Sequence, residues 1–243
     1  MFLTEKNKKN SFKNIYYEAS CQWLMDGFMK FLTTKPVTIK NVLDIGAHKG
    51  KWSRDLKTYF PSAACHLFDP LPEMEPFLKK HCADFPSDQY FSVGLGSNNE
   101  TRNITKFGDL EGSTFLGKDV PVGISKGTET LTITSINHLI SENKIPVPDL
   151  VKIDVQGFEL EVLGGADKIF GKTEIFIIEC NLFEFDLHPG MPEFIKVIQF
   201  MHEKGYSLYD FAGFQRRPSD SALGQFDAVF VKSNGVLRTS KSW

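Results

Sequence analysis

Between residues 41 and 232 the chain alternates short apolar runs with amphipathic stretches, and that alternation leaves few folds open. Residues 41–45 (NVLDI), 64–68 (ACHLF), 90–95, 150–155 (LVKIDV) and 174–180 (EIFIIEC) predict strands, and their near-continuous apolar character suits strands buried on both faces. Residues 51–59, 73–82 after Pro72, 133–143, 159–170 and 193–204 predict helices, the last stopping at Gly205. Such alternation predicts an α/β fold, a mostly parallel sheet with helices on both faces. Residues 206–211 and 226–232 have no helix between them and are expected to pair antiparallel at the end of the chain. The polar, glycine-rich stretch 97–127 is expected to hold a short strand at 102–107 and a loop.

A chain of 243 residues, 41% of them apolar, can bury one sizeable core. Residues 41–232 are expected to form the main domain, 1–40 a helical extension packed on it, and 233–243 a tail. A formal net charge of -2 provides no field to draw a nucleic-acid backbone. Cys21, Cys65, Cys82 and Cys180 show neither a C-x-x-C pair nor zinc spacing, which fits a reducing compartment. The opening MFLTEKNKKNSFKN has lysines but no apolar run behind them, so no signal peptide is expected. No stretch approaches the roughly 20 apolar residues of a spanning helix. A soluble, cytoplasmic protein without membrane insertion is expected.

In an open α/β sheet, ligands bind beyond the carboxyl ends of the strands, where the strand order reverses. The run VLDIGAHKGKWS ends the first strand and opens its helix. Gly46 and Gly50 permit a tight turn and close backbone approach. A dinucleotide loop has the spacing G-x-G-x-x-G, whose glycines let a pyrophosphate reach the helix N-terminus. Here the spacing is G-x-x-x-G with His48 and Lys49 inside it, which obstructs a phosphate. Asp44 suits a ligand with a positive amino group. S-adenosylmethionine has an ammonium, a sulfonium and no phosphate. The second strand ends in HLFDP, where Asp69 is placed for two ribose hydroxyls and Pro70 stiffens the turn. Alternatively the glycines serve only packing and Asp69 only caps a helix.

The segment LVKIDVQGFELEVLGGA has polar residues where a central parallel strand should be apolar. Lys152, Asp154 and Gln156 therefore point to the crevice, while Glu179 and Asn181 of FIIECN end the neighbouring strand. One carboxylate could act as general base for an acceptor hydroxyl, in the order Asp154, Glu179, then His188 on the loop FDLHPGMP. Alternatively Asp154, Glu179 and Asn181 could hold a hard divalent cation, a less favoured reading because no spacing motif demands it. Lys152 could orient the acceptor or form a buried ion pair with Asp154. For Glu159 the alternative is favourable placement at a helix N-terminus. His66, His81, His138 and His202 fall within strands or helices and are expected to be structural or surface residues. The glycine-rich loop 108–127 could cover the acceptor or lie on the surface.

VLDIGAHKG, FDPLPE, SVGLGSNNET, LVKIDVQGFELEVLGGA, IIECN and FDAVFVK, in that order, resemble the successive motifs of FkbM-type methyltransferases from residue 41 to 232. The resemblance implies a Rossmann-like class I methyltransferase fold, with a mostly parallel seven-stranded sheet and an antiparallel C-terminal strand. It implies S-adenosylmethionine as cofactor and O-methylation of a hydroxyl on a sugar, polysaccharide or related natural product. It implies that Asp44, Gly46, Ala47, His48, Gly50 and Ser53 form the cofactor loop. Asp69 and Pro70 then serve the ribose, Gly94 and Leu95 flank the adenine, and Asp154 lies by the methyl. His48 replaces the usual Asn and Gln156 the usual Glu. The rivals are a methyltransferase of protein or nucleic acid, although D/N-P-P-Y is absent after the fourth strand; an NAD-dependent oxidoreductase, which His48 opposes; and a non-catalytic binding module.

Overall fold

A computed structural model describes residues 22–108, 110–116, 125–185, 190–240 and 242. Helix α1 (Gln22–Leu32) precedes β1 (Asn41–Ile45), α2 (Lys51–Tyr59), β2 (Ala64–Phe68), α3 (Glu75–Asp84) and β3 (Gln89–Phe91). Next come β4 (Gly94–Leu95), β5 (Glu100–Lys106), β6 (Gly127–Thr134), α4 (Ile136–Ser141), β7 (Leu150–Ile153) and α5 (Glu159–Gly164). The chain continues through β8 (Ile175–Asn181), α6 (Phe194–Glu203), β9 (Tyr206–Arg216) and β10 (Leu223–Lys232). Seven strands form one sheet in the order β3-β2-β1-β7-β8-β10-β9, in which β10 alone runs against the others. The order reverses between β1 and β7, so the crevice expected of this topology opens there.

The period-2 geometry of strands sorts the core into two layers. Leu43, Ile45, Val151, Ile153, Phe176 and Ile178 enter one apolar cluster. Val42, Cys65, Leu67, Leu150, Ile175 and Ile177 enter the other, together with Phe28, Met29 and Leu32 of α1 and Leu56 of α2. The same alternation places Asp44, Lys152, Glu179 and Asp227 on this second face. Their registers bring Asp44 beside Lys152 and Glu179 beside Asp227. A row of charge thus crosses the carboxyl end of a sheet whose lower rungs are apolar.

Three expectations are corrected. Residues 90–95 are two strands, not one: β3 extends the main sheet, while β4 joins β5 and β6 in a second sheet. Ile133 lies in β6 rather than in a helix, because pairing with Glu100 of β5 and Gly94 of β4 overrides its helix-like spacing to Ile136 and Ile140. Helix α5 ends at Gly164, where the tight approach of Gly165 to the backbone of Gly96 replaces further helical turns. The histidine expectation holds for His81, which is buried and reaches Asp88 at 2.9 Å. Lys57 donates to the same carboxylate at 2.6 Å, as does the Cys65 backbone amide at 3.0 Å, tying α2, α3 and β2 together. Among the described residues no helix is long and apolar enough to cross a membrane.

Candidate active site

The loop after β1 closes on itself before it meets any ligand. The Gly46 and Ala47 amides donate to the Phe68 carbonyl at 3.0 and 2.9 Å, the Gly50 amide to Ala47 at 2.7 Å, and the His48 amide to Asp69 Oδ2 at 2.9 Å. Gly46, His48 and Gly50 all have positive φ (81°, 47° and 72°). Histidine is among the few side chains that visit this region with some frequency, so it can replace asparagine here. A Cβ on Gly46 would collide with the Asp154 carbonyl, so this glycine lets the β1 and β7 exits pack together. These four amides are committed to protein acceptors, and a phosphate cradle needs them free.

A cleft of about 580 Å³ opens above this loop. Gly46, Ala47, His48, Asp69, Pro70, Lys152, Asp154 and Glu179 line it. Its far wall comes from Met25 and Met29 of α1 and Trp52, Leu56 and Tyr59 of α2. Gly94 and Leu95 line a small apolar pocket beside it, with Phe68, Phe115 and Phe158. Asp44, Gly50 and Ser53 do not line the cleft. Asp44 is fully buried beneath it and accepts from Ser53 Oγ at 2.7 Å, while its Oδ1 lies 4.0 Å from Lys152 Nζ. Asn181 is also buried and does not line the cleft. His188 lies outside the described residues. Among the described residues no group of three or more His, Cys, Asp or Glu side chains is arranged to hold a metal ion.

Lys152 organises the floor. Its Nζ donates to Asp154 Oδ2 at 2.9 Å. Burial opposes its charge, but Asp154 and Asp44 outweigh burial and hold its pKa above the ordinary lysine value. Burial likewise pushes Asp154 up, and the Lys152 ammonium with the Gln156 amide bring it below the usual carboxylate range. Gln156 donates through Nε2 to both Asp154 Oδ1 and Glu179 Oε2, each at 2.9 Å. Burial, Asp154 and Asp227 push Glu179 well above its ordinary value, the opposite direction to Asp154. Gln156 thus bridges two acids at the position where a Glu was expected. Glu159 is buried and accepts from the Val155 and Gly157 amides at 3.2 and 3.0 Å, so it shapes the turn after β7.

Asp69 accepts two backbone amides, from His48 at 2.9 Å and Leu71 at 3.0 Å, and burial pushes it up to about 6. Each carboxylate oxygen has a second lone pair, so capacity for hydroxyl donors remains. Part of the loop at 108–127 joins the wall: Leu110, Glu111, Gly112, Ser113 and Phe115 line the cleft, and Thr114 Oγ1 donates to the Gln156 carbonyl at 2.6 Å. Sequence reasoning missed Trp52, Gln215, Gln225 and Asp227. The signal for Asp227 was available, since an acid interrupts the apolar run FDAVFV.

A seven-stranded sheet of this order, with its cleft at the β1–β7 reversal and an acid directly after β2, defines the Rossmann-like class I methyltransferase fold. Within that class the chain belongs to the FkbM methyltransferase family, whose domain model, Methyltransferase FkbM domain, matches residues 44–208. It is similar to the hexuronic acid methyltransferase AglP of Haloferax volcanii, 33% identical over 57 residues, a quarter of each protein's length. The crystal structure of methyltransferase FkbM from Methylobacillus flagellatus KT superposes with a TM-score of 0.54 at 14% identity. That superposition covers 88% of this chain and 49% of the other, and it shows the fold alone.

Proposed function

We propose that this protein transfers a methyl group from S-adenosylmethionine to a hydroxyl of a sugar, polysaccharide or related natural product, in the cytoplasm. The observation that carries the reading is the commitment of the β1-loop amides to the protein, which suits a nucleoside without phosphate. The residues present fit that cofactor. Asp69 has lone pairs for ribose hydroxyls, and the apolar pocket of Phe68, Leu95, Phe115 and Phe158 suits a flat base. Asp44 Oδ1, buried with no hydrogen-bond partner among the described residues, adds negative potential beneath an ammonium. When bound, the cofactor supplies an electrophilic methyl on a sulfonium.

Positioning the acceptor oxygen in line with that carbon is the protein's main task. Lys152 fixes Asp154 at the β7 exit, and Gln156 fixes Asp154 relative to Glu179. Support for a sugar acceptor comes from the polar side chains Gln215, Gln225 and Asp227 in the cleft lining and from the name of the Haloferax relative.

Calorimetric titration with S-adenosylmethionine and with NAD tests the cofactor. Micromolar binding of the former with none of the latter is expected, and tighter NAD binding would overturn the reading. Labelled cofactor incubated with glycan, RNA and protein fractions tests the acceptor, with label expected in the glycan.

A further inference from the structure

The β9–β10 hairpin closes one end of the cleft with Gln215, Gln225 and Asp227. Gln225 pairs with Gln215 in register, and Asp227 with Gly213. The other carboxylates at the strand ends are engaged: Asp44 by Ser53, Asp69 by two amides, Asp154 by Lys152 and Gln156, Glu179 by Gln156. The Asp227 carboxylate has no hydrogen bond or ion pair to a described residue. Space is made for it, because a Cβ on Gly213 would collide with its Oδ2.

The charged groups around Asp227 are mostly of its own sign. Asp154 follows β7, Glu179 lies on β8, and Asp26 of α1 and Asp55 of α2 line the same cleft, as do Lys49 and Lys51, the latter ion-paired with Asp55. Lys152 is the cation near it and is already held by Asp154 and Asp44. Burial pushes the Asp227 carboxyl up to about 6, with Lys152 lowering it and Asp154 raising it. At neutral pH the group is ionised yet basic enough to accept a proton, the condition for efficient general-base catalysis. An anionic acceptor placed here would face like charges at close range, which costs affinity. Glutamine amides both donate and accept, and so match neutral hydroxyls.

Resting on the methyltransferase reading above, we propose that this end of the cleft takes an uncharged polyhydroxylated acceptor in preference to a uronate, with Asp227 receiving the proton of the attacking hydroxyl. The O–H bond breaks toward the Asp227 carboxylate, and the oxygen bonds the transferred carbon. The electron pair of the broken C–S bond stays on the departing thioether.

Matched p-nitrophenyl glycosides test it: β-glucoside against β-glucuronide, and β-galactoside against β-galacturonide, each with methyl-labelled S-adenosylmethionine. The neutral member of a pair should show at least about tenfold higher kcat/KM. Asp227→Asn should lower kcat on it by about 10²- to 10⁴-fold, and Asp227→Glu should recover part of the rate. With the cofactor saturating, so that Asp69 does not limit binding, the wild-type rate should fall as pH drops through about 6, and D227N should lose that limb. Cofactor affinity by calorimetry should stay within about twofold in both variants. In the S-adenosylhomocysteine-loaded protein, saturation-transfer NMR should detect the glucoside and not the glucuronide, and D227N should admit the glucuronide. Equal or better turnover of the uronates overturns the proposal, as does wild-type kcat in D227N. Label on neither member of either pair, with the cofactor bound, overturns the polyol assignment and leaves the methyl-donor reading standing. Failure to bind S-adenosylmethionine sinks that reading itself.

Discussion

Replacing Lys152 by methionine removes the ammonium between Asp44 and Asp154 while nearly conserving side-chain volume. At 2.9 Å and 4.0 Å the two attractions amount to about 6 and about 4 kcal/mol at an effective dielectric constant of about 20. Most of that offsets desolvation, and removing one partner of a buried pair costs about 3–5 kcal/mol because the remaining charge is stranded. The Asp154 side chain is 30% exposed, so water relieves part of the cost. A loss of about 3 kcal/mol is expected, or about 6–12 °C in Tm for a chain of this size. The pH dependence has a definite sign. With the ammonium gone, burial raises both folded-state carboxyl pKa values above their unfolded values. Proton binding then favours the folded state, and the deficit shrinks as pH falls. Urea denaturation of wild type, K152M and K152M/D154N at about pH 8 and about pH 5.5 measures this. The deficit should be largest at the higher pH and smaller in the double variant. A K152M protein within about 1 kcal/mol of wild type at the higher pH, or with an equal deficit at both, would refute the assignment of Lys152 as the counter-ion of the floor.

Three further outcomes are expected. Gly46→Ala places a Cβ on the Asp154 carbonyl at φ 81°. Backbone cannot yield there as a flexible side chain can, so a loss above about 4 kcal/mol should appear in thermal melts; a Tm near wild type would contradict this packing. Gln156→Glu exchanges a donor bridging two carboxylates for a third acid. It should destabilise by about 1–3 kcal/mol at about pH 8 and by less at about pH 6, and equal denaturation curves at the two pH values would count against the bridge. Asp69→Asn should weaken S-adenosylmethionine binding by about 10- to 100-fold in calorimetry, the worth of a charged hydrogen bond. Unchanged affinity would remove Asp69 from the ribose role.

The main sheet was legible because parallel strands buried on both faces leave continuous apolar runs, as in EIFIIEC and LVKIDV. The second sheet was not. Its strand GTETLTIT carries β-branched residues at alternate positions, but Ile133 also stands at helical spacing to Ile136 and Ile140, and local pattern cannot choose between them. Pairing with β5 decides it. At the site, the polar residues interrupting LVKIDV marked the cleft floor. Nothing in that run shows that Gln156 reaches Glu179, because the contact depends on a left-handed turn at φ 54°.

Periodicity and side-chain chemistry are written locally, and from them alone came the order of the main-sheet strands and their helices, the phosphate-averse loop around His48, and the acids at the ends of β1, β2, β7 and β8. Which of those acids are engaged was decided by the folded chain. Asp44 turned down onto Ser53, and Asp227 arrived beside Glu179 because β10 inserts antiparallel between β8 and β9. Register between distant strands is set by the summed pairing and packing of whole elements, and no short run of sequence carries that sum.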